Sequence, residues 1–257
     1  MNERIKSNTN TAGRNVRSQL YRRYSHWKSW SDIEDYKGYH RVFSKEIRRA
    51  GVPPGSTILE IGFGQGLFLD WGAANGFKMV GVDIVPEFVE AAKRRGHDVY
   101  CGELKNVMAS FDNQFDLIVI FDVLEHMTLD EIVSLFKVIS RILKNNGRII
   151  ARFPNGASPF DRAYQYGDAT HQTVLTGPKI SQIAALSGLE LLSVHNAIRF
   201  VRPERAKILR LCLPIASLLR DVFQLSMGLI YFGKNIPLDP NMSVVIKKSC
   251  NTRYKVR

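Results

Sequence analysis

A glycine-rich turn directly after a short apolar segment is the feature that most constrains how this chain folds. Residues 58–61 have the composition of a buried strand, and residues 62–66 read GFGQG. Helical character then follows as far as Ala74. Because glycine lets the backbone approach a ligand and a helix start offers free N–H groups, this order predicts an α/β fold with a ligand at the turn.

Apolar segments alternate with helical ones along the following chain, which is typical of an α/β domain. Strands are predicted over residues 79–83, 98–101, 115–120, 147–153, 189–195 and 241–248, and helices over residues 86–95, 129–143 and 178–187. We assign residues 51–201 and 241–250 to this domain.

The N-terminal region has two parts. Residues 1–17 are polar and basic without an apolar period and predict a flexible tail. In residues 18–50, aromatic side chains such as Tyr36, Tyr39 and Phe43 recur at helical spacing among basic ones. This spacing predicts helices whose apolar face packs on the domain or, alternatively, forms a helical lid over a substrate pocket.

An insert over residues 202–240 precedes the last predicted strand. Arg210 and the pair Arg220-Asp221 interrupt its apolar runs, which fall short of the roughly 20 residues that span a bilayer. Either two helices lie in a membrane interface with basic side chains on anionic headgroups, or a helical hairpin packs on the domain or forms a dimer contact. The basic side chains concerned are those of Arg202, Arg205, Lys207 and Arg210.

Net charge indicates an anionic partner. The 36 Lys and Arg residues and 24 Asp and Glu residues give +12, and the excess lies in residues 1–50 and 201–257. This distribution favours an anionic membrane surface or glycan over nucleic acid. Three widely spaced cysteines and a polar N-terminus without a signal peptide predict a cytoplasmic protein. The basic ends and the apolar, basic insert predict a peripheral place at the inner membrane face.

Two carboxylates flank the ends of successive predicted strands. Glu60 stands just before the turn, where it would repel a diphosphate but attract an ammonium group. Asp83 follows the second strand, where a carboxylate can accept hydrogen bonds from both ribose hydroxyls. The expected ligand therefore carries a ribose and a cation and lacks a diphosphate, which fits S-adenosylmethionine.

Three segments carry a recognisable pattern: ILEIGFGQG at residues 58–66, GVDI at 81–84 and FDLIVIFDVLEH at 115–126, with Pro154-Asn155 further on. Together they resemble the class I S-adenosylmethionine-dependent methyltransferase family, and within it the branch of quinone-biosynthesis and bacterial surface-glycan methyltransferases. The resemblance covers residues 57–196 and the last strand. It implies a Rossmann-like, mostly parallel sheet of seven strands whose last strand is antiparallel.

The resemblance also implies a cofactor across the carboxyl ends of the strands, with S-adenosylhomocysteine as its product. The glycine turn would line the methionine part, residues 83–84 the ribose and adenine, residues 103–104 the adenine edge, and residues 122–123 the transferred methyl group. With Glu60, the expected cofactor-binding residues are Glu60, Gly62, Phe63, Gly64, Gly66, Asp83, Ile84, Glu103, Leu104, Asp122 and Val123.

Methyl transfer to a hydroxyl needs a base, because a neutral hydroxyl is a weak nucleophile. His171 is our first candidate, since it follows the fifth strand on the acceptor side of this fold, and Asp168 would orient its ring. A hydrogen bond that only pins the loop is the alternative role for His171. His126 belongs to a motif shared across many acceptors, which favours a structural role. We see no metal-ligand spacing and expect no metal.

Aromatic and arginine side chains in residues 152–173 suit a sugar ring, an anionic group or a quinol; they are Phe160, Tyr164, Tyr166, Arg152 and Arg162. We expect an O-methyltransferase for a hydroxyl of a glycan or of a lipid-linked or phosphorylated glycan precursor. The alternatives are O-methylation of a polyprenyl quinol or another hydrophobic small molecule, and a non-catalytic binding protein with this fold. Nucleic acid is disfavoured, because the motifs of base methylation are absent after strand four.

Overall fold

Seven strands form one sheet in the computed structural model, which describes residues 19–20, 36–107, 111–112, 114–198, 213–233 and 236–249. The strands are β1 (Thr57–Ile61), β2 (Lys78–Asp83), β3 (Asp98–Cys101), β4 (Phe115–Phe121), β5 (Leu143–Pro154), β6 (Leu189–Asn196) and β7 (Asn241–Lys248). Their order is β3-β2-β1-β4-β5-β7-β6. Strands β1 to β5 pair in parallel, whereas β7 is antiparallel to β5 and β6. The expected fold class is confirmed.

Strand pairing brings the ends of β1, β2 and β4 together. Ile61, the last residue of β1, pairs with Val82 on one side and with Ile120 on the other. Because these strands run in parallel, the residues that follow them emerge at one edge of the sheet. The strand order reverses between β1 and β4, and open α/β sheets bind ligands at such a switch point.

Helices connect the strands, and several of them begin at clear local signals. Thr128 and Glu131 form a capping box before the helix that follows β4, and Pro86 is the first residue of another helix. The helices are α1 (Tyr36–Ala50), α2 (Leu67–Ala74), α3 (Pro86–Arg94), α4 (Leu104–Val107), α5 (Leu129–Ile142), α6 (Arg162–Gln165), α7 (Gly177–Ala185) and α8 (Leu213–Phe232), with a 3-10 turn at Leu124–His126. Helices α4 and α6 are too short to give a periodic signal, and the sequence does not predict them.

The sheet is covered by helices on both faces, and β4 divides its side chains between them. Leu117, Val119 and Phe121 pack with α1 and α2 on one face. Ile118 and Ile120 pack with α5 and α7 on the other face. All five side chains are buried. The alternation is the period of two expected for a strand buried on both sides.

Helix α1 packs into the core through its aromatic side. The ring centroid of buried Phe43 lies 5.1 Å from that of Phe68, 5.8 Å from that of Trp71 and 6.3 Å from that of Phe121. Residues 36–50 thus have the packing role that is one alternative for the N-terminal region. A lid role for residues 18–50 stays a prediction, and the predicted tail lies outside the described residues.

The described part of the insert contains one long helix, and residues 202–212 lie outside the described residues. Helix α8 continues through Arg220 and Asp221, whose side chains pair with each other at 2.9 Å, and Arg220 also reaches Asp239 at 3.4 Å. The charged pair therefore interrupts the apolar run but not the helix, and the expectation of two helices stays a prediction. The four basic residues expected to face headgroups lie outside the described residues. No helix that the structure describes is long and apolar enough to cross a membrane.

Candidate active site

The glycine turn between β1 and α2 has a backbone that favours glycine. Gly62, Gly64 and Gly66 have φ angles of +69°, +54° and +78°. A Cβ atom at position 62 would lie only 2.5 Å from Cγ2 of Val123, the second residue after β4. The turn is therefore packed directly against the end of β4, and two of the expected cofactor-binding segments are neighbours.

Asp83 ties the glycine turn to the end of β2. Its Oδ2 accepts a hydrogen bond from Gly64 N and its Oδ1 accepts one from Val85 N, both at 2.9 Å. Burial raises the pKa of this carboxyl, while the backbone N–H groups of Gly64, Val85 and Ile84 oppose that rise. The two carboxylate oxygens have about four lone pairs between them, so the group can still accept a hydrogen bond from a ribose hydroxyl. Ile84 beside it is 53% exposed, as a side chain that flanks an adenine requires.

Glu60 tests whether the site fits the expected cofactor. The side chain is buried at the end of β1, and its Oε2 has no hydrogen-bond partner within the described part of the chain. Burial, followed by the charge of Asp83, raises the pKa of Glu60 well above its usual value, and Arg152 partly opposes this. A cation beside the turn would stabilise the ionised form of this acid. The residues present therefore fit the ammonium group of S-adenosylmethionine.

Two of the expected cofactor-binding side chains belong to the hydrophobic core. Phe63 and Leu104 are both buried, Phe63 in a small cluster with residues of α2 and α3, and Leu104 in the largest cluster. Glu103 is exposed and pairs with Lys105 at 2.7 Å. A side-chain contact with the adenine edge from this segment would therefore come from Glu103.

Asp122 has a φ angle of 57°, and no other described non-glycine residue has a positive φ. This conformation costs about 1–2 kcal/mol, and such strain is concentrated at functional sites. The Asp122 carboxylate pairs with Arg152 of β5, whose Nε lies 3.1 and 3.2 Å from the two carboxylate oxygens. Arg152, which we expected among the acceptor-binding groups, is instead committed to Asp122.

Arg152 links several carboxylates by its charge. Burial alone would lower the pKa of its guanidinium, but Asp122, and after it Glu46 and Glu125, outweigh burial and raise that pKa. The same guanidinium acts on Glu60 at the glycine turn. Glu60 and Glu125 therefore both lie within electrostatic reach of one cation, although Glu60 belongs to β1 and Glu125 follows β4.

The loop after β5 folds back onto the 3-10 turn after β4. The backbone N–H groups of Gln172 and Thr173 donate to the Glu125 carbonyl at 2.7 and 3.1 Å, and Gln172 Nε2 donates to the His126 carbonyl at 2.7 Å. These bonds bring the rings of His126 and His171 to a centroid distance of 4.6 Å at an angle of 69°. The two candidate histidines are thus neighbours.

Hydrogen bonds at Nδ1 orient both rings. Nδ1 of His171 lies 3.1 Å from the Gln165 carbonyl, which can only accept, so Nδ1 carries the proton and Nε2 of the neutral ring has the lone pair. Thr170 Oγ1 donates to Asp168 Oδ1 at 2.5 Å and lies 2.8 Å from Nδ1 of His126. Because the threonine hydrogen is used, His126 donates through Nδ1 and also has its lone pair on Nε2.

Asp168 has its short contacts with Thr170 rather than with His171. Its Oδ2 lies 4.0 Å from Nε2 of His171, at the outer limit of an ion pair, whereas Oδ1 accepts from Thr170 N at 2.9 Å as well as from the hydroxyl. Gln165 therefore orients His171 through Nδ1, and Asp168 orients His126 through Thr170. The expected orientation of His171 by Asp168 rests on the 4.0 Å contact and stays a prediction.

Glu125 is a candidate that sequence reasoning missed. The side chain is buried, and one of its oxygens and one ring nitrogen each of His126 and His171 all lie within 4.8 Å of one another. The adjacent Glu-His pair after β4 was a partial signal. The third member comes from the loop after β5, and only the backbone hydrogen bonds between the two segments reveal it.

A comparison with protein families agrees with the cofactor chemistry of this site. Residues 59–151, from β1 into β5, match the model of a family described as a methyltransferase domain. The chain contains an S-adenosylmethionine-dependent methyltransferase domain. S-adenosylmethionine is its cofactor. No curated protein sequence matches the chain significantly.

Solved structures share the fold of this methyltransferase domain. One is a SAM-dependent methyltransferase from Archaeoglobus fulgidus, 16% identical, with a TM-score of 0.59 over 83% of this chain and 95% of that one. A second is 1,6-didemethyltoxoflavin-N1-methyltransferase from Burkholderia thailandensis with bound 1,6-didemethyltoxoflavin and S-adenosylhomocysteine, 13% identical, TM-score 0.57, covering 93% and 90%. A third is a putative sarcosine dimethylglycine methyltransferase from Galdieria sulphuraria, 18% identical, TM-score 0.55, covering 92% and 98%. At these identities the likeness shows the fold, and the predicted family branch stays a prediction.

Proposed function

We propose that this methyltransferase methylates a hydroxyl of a glycan or of a lipid-linked or phosphorylated glycan precursor. The observation that carries the proposal is the pair His126 and His171, each with its lone pair on Nε2. Transfer to a hydroxyl needs a group that takes up or stabilises the loss of the hydroxyl proton. An amine acceptor with its own lone pair has no such need.

The histidine pair lies near the cofactor side of the site. Arg152 pairs with Asp122 and acts electrostatically on both Glu60 and Glu125. Glu60 stands at the glycine turn, and Glu125 directly precedes His126. An acceptor hydroxyl that contacts the histidines would therefore meet the transferred methyl group at the end of β4.

When bound, S-adenosylmethionine supplies a methyl group on a sulfonium centre, which is already a good leaving group. Glu60 would hold the ammonium group, and Asp83 would hold the ribose. The histidine pair would assist the loss of the acceptor proton, with His171 as our first candidate. Alignment of the two reactants contributes about 7–11 kcal/mol in favourable cases. A positioned base adds about 10²–10⁴-fold in rate.

The loop after β5 presents exposed aromatic rings that suit a sugar. Phe160, Tyr164 and Tyr166 are more than half exposed. Flat aromatic faces of this kind pack against the apolar face of a sugar ring. Arg162 at the start of α6 adds a guanidinium that can bind a phosphate or carboxylate through two hydrogen bonds.

A cavity of about 600 Å³ lies between this loop and α8. Its wall is mainly apolar and includes Val174, Phe223, Met227 and Leu238, with Asp161 as its buried acid. This volume is in the range of pockets that enclose small molecules. The cavity supports an acceptor with an apolar part next to its polar group, as in a lipid-linked precursor.

The outward side of α8 supports a place at a membrane surface. Seven apolar side chains there are between 45% and 73% exposed: Ile215, Leu218, Leu219, Val222, Leu225, Leu229 and Ile230. An apolar helix face next to basic chain fits an interface with anionic lipids. We propose peripheral association through α8, with a contact between two copies of the chain as the alternative.

A polyprenyl quinol is the second candidate acceptor. The mainly apolar wall of the cavity favours it, because a prenyl chain would bury its surface there. The exposed aromatic rings and Arg162 favour the glycan instead. The two acceptors therefore depend on different parts of the same loop.

Methyl transfer from radiolabelled S-adenosylmethionine tests the proposal. The full chain is assayed with a free saccharide, a polyprenyl-linked saccharide and a polyprenyl quinol, each paired with a control whose hydroxyl is already methylated. Label in a saccharide supports the glycan proposal, and label in the quinol alone overturns it. Absence of saturable S-adenosylmethionine binding in calorimetry would overturn the enzymatic function altogether.

A further inference from the structure

Three metal-ligand side chains from two distant segments meet beside the cofactor site. Glu125 and His126 lie in the 3-10 turn after β4, and His171 lies in the loop after β5. Their potential ligand atoms lie within 4.8 Å of one another, and all three side chains are at least nine-tenths buried. The sequence predicts no metal site, because only two of the three are adjacent in the chain.

The hydrogen bonds at Nδ1 indicate which nitrogen of each ring a metal would bind. In both His126 and His171, Nδ1 is the protonated nitrogen and Nε2 has the lone pair. His171 donates to a backbone carbonyl, and His126 donates to Thr170, which in turn donates to Asp168. Metal-bound histidines typically donate their second N–H to a carbonyl or a carboxylate in this way.

The donor set selects a class of cation. Two imidazole nitrogens and one carboxylate suit a divalent transition-metal ion such as Zn²⁺ or Mn²⁺. Bond lengths of about 2.0–2.2 Å require the three ligand atoms to approach one another from their present separations of up to 4.8 Å. Three protein ligands also leave coordination positions for oxygen atoms of an acceptor.

We propose that Glu125, His126 and His171 bind one divalent transition-metal cation on the acceptor side of the methyltransferase domain. A bound cation would coordinate the acceptor hydroxyl and lower its pKa, so that the proton leaves to water. The oxygen would then form a bond to the methyl carbon while the bond from that carbon to sulfur breaks and S-adenosylhomocysteine leaves. His171 would assist the loss of the proton by holding the cation, in place of taking up the proton itself. This catalytic role rests on the proposed function, whereas cation binding stands alone.

Open coordination positions also narrow the acceptor class. An acceptor with oxygens on neighbouring carbons, such as a vicinal diol of a sugar or a catechol-type quinol, binds a cation through both oxygens. An acceptor with a single isolated hydroxyl gains less. The proposal therefore predicts a preference for neighbouring oxygens among saccharides and among quinols.

Calorimetry with the metal alone tests the site. The full chain, stripped with EDTA and dialysed, is titrated with Zn²⁺ and with Mn²⁺, and one ion per chain is expected for at least one of them. Glu125→Gln, His126→Ala and His171→Ala should each weaken binding at least about 10-fold. His195→Ala is the matched control, because its ring lies on β6 and contacts Ser193 at 2.9 Å, outside the cluster. Its affinity should equal that of the wild type.

Folding of the variants is checked by S-adenosylhomocysteine binding. Should the ligand variants fail to fold, Thr170→Val removes only the group that orients His126 and is expected to lower affinity about 10–100-fold. X-ray absorption of the loaded protein should show nitrogen and oxygen ligands from the chain. The proposal is overturned when wild type binds no stoichiometric ion, or when the cluster variants bind as tightly as His195→Ala.

Methyl transfer after EDTA treatment separates this inference from the proposed function. Full transfer by metal-free protein overturns the catalytic role of the cation and leaves the methyltransferase proposal intact. Stoichiometric ion binding without transfer to any hydroxyl acceptor overturns the O-methyltransferase proposal and leaves the site. Transfer lost with EDTA and restored by added ion supports both.

Discussion

The cofactor side of the site, at the ends of β1, β2 and β4, is shaped by the backbone, whereas the acceptor side is formed by side chains that two distant segments bring together. On the cofactor side, positive φ angles at glycines and the bonds of Asp83 to two backbone N–H groups shape the surface. On the acceptor side, His126 and His171 meet because a loop bonds to a 3-10 turn.

The two sides therefore differ in how freely their residues can be substituted. The cofactor side accepts few substitutions, because each glycine or carboxylate there serves several contacts at once. The acceptor side can bind a different acceptor when residues on the loop after β5 and on α8 are exchanged. The same fold can thus keep one cofactor and serve many acceptors.

Removal of His171 should give the largest effect and should fall on turnover alone. His171→Ala is expected to lower kcat about 10²–10⁴-fold, because the acceptor proton loses the group that helps it leave. The affinity for S-adenosylmethionine, measured by calorimetry, should stay within twofold of the wild-type value. If kcat and this affinity fell in proportion, His171 would serve the cofactor side as well as the acceptor side.

Removal of the Asp83 carboxylate should act on the cofactor side alone. Asp83→Ala loses two hydrogen bonds to ribose and the anchor of the glycine turn, so we expect affinity for S-adenosylmethionine to fall about 100-fold, equivalent to about 3 kcal/mol. Asp83→Asn keeps one acceptor oxygen, so its affinity for S-adenosylmethionine should lie between those of the wild type and Asp83→Ala. Calorimetry that finds Asp83→Ala within threefold of wild type would contradict the ribose assignment.

Gly62→Ala measures how closely the backbone is packed. An alanine at this position would keep a φ angle of +69°, which is strained for a residue with a side chain, and its Cβ would lie 2.5 Å from Cγ2 of Val123. The free energy of unfolding should therefore fall by about 2–4 kcal/mol. Gly55→Ala is the matched control, since its φ is +84° and nothing lies within 4 Å of the added atom; it should cost about 1 kcal/mol. Equal losses in urea unfolding would show that close packing at the turn contributes nothing.

Asp161 gives the acceptor side its own pH dependence. Burial raises the pKa of this carboxyl from 3.8 to about 6. An acid whose pKa is raised on folding stabilises the fold fully below its unfolded pKa, and that contribution is lost as the pH rises through about 6. The melting temperature of Asp161→Asn, measured relative to that of the wild type, should therefore increase as the pH rises from 5 to 7.5. A constant difference in melting temperature between wild type and Asp161→Asn across this pH range would contradict the raised pKa.

A polar substitution on the outer side of α8 should have the smallest effect on stability. Ile230 is 73% exposed, so Ile230→Ser should change the free energy of unfolding by less than about 0.5 kcal/mol. Sedimentation with anionic vesicles should nevertheless fall. Leu186→Ser, 57% exposed after α7, is the control and should bind vesicles as wild type does. Unchanged vesicle binding by Ile230→Ser would argue against α8 as the membrane surface.

Periodic and local signals account for the parts of the fold that the sequence predicts. Apolar strands followed by turns locate the sheet, and the glycines and carboxylates beside them locate the cofactor. The continuous helix across Arg220-Asp221 was not predicted, because this charged pair interrupts the apolar run in the sequence. In the structure the two side chains pair with each other, and Arg220 also reaches Asp239. Helices α4 and α6 have too few residues for a period to be visible.

The acceptor side needed the three-dimensional structure. Candidate residues His126 and His171 could be named from motifs, but the orientation of His171 by Gln165, the relay from Asp168 through Thr170, and the commitment of Arg152 to Asp122 could not. None of these contacts repeats along the chain. They depend on which segments the sheet brings to the same edge.

The sequence by itself determined the order of the strands along the chain and the chemistry of the cofactor, because a strand, a glycine turn and a carboxylate act over a few residues. Tertiary structure alone decided that Glu125, His126 and His171 form one cluster. The physical reason is that the cluster is assembled by backbone hydrogen bonds between a loop after β5 and a turn after β4. Backbone groups are the same in every residue, so such bonds leave no signature in the sequence.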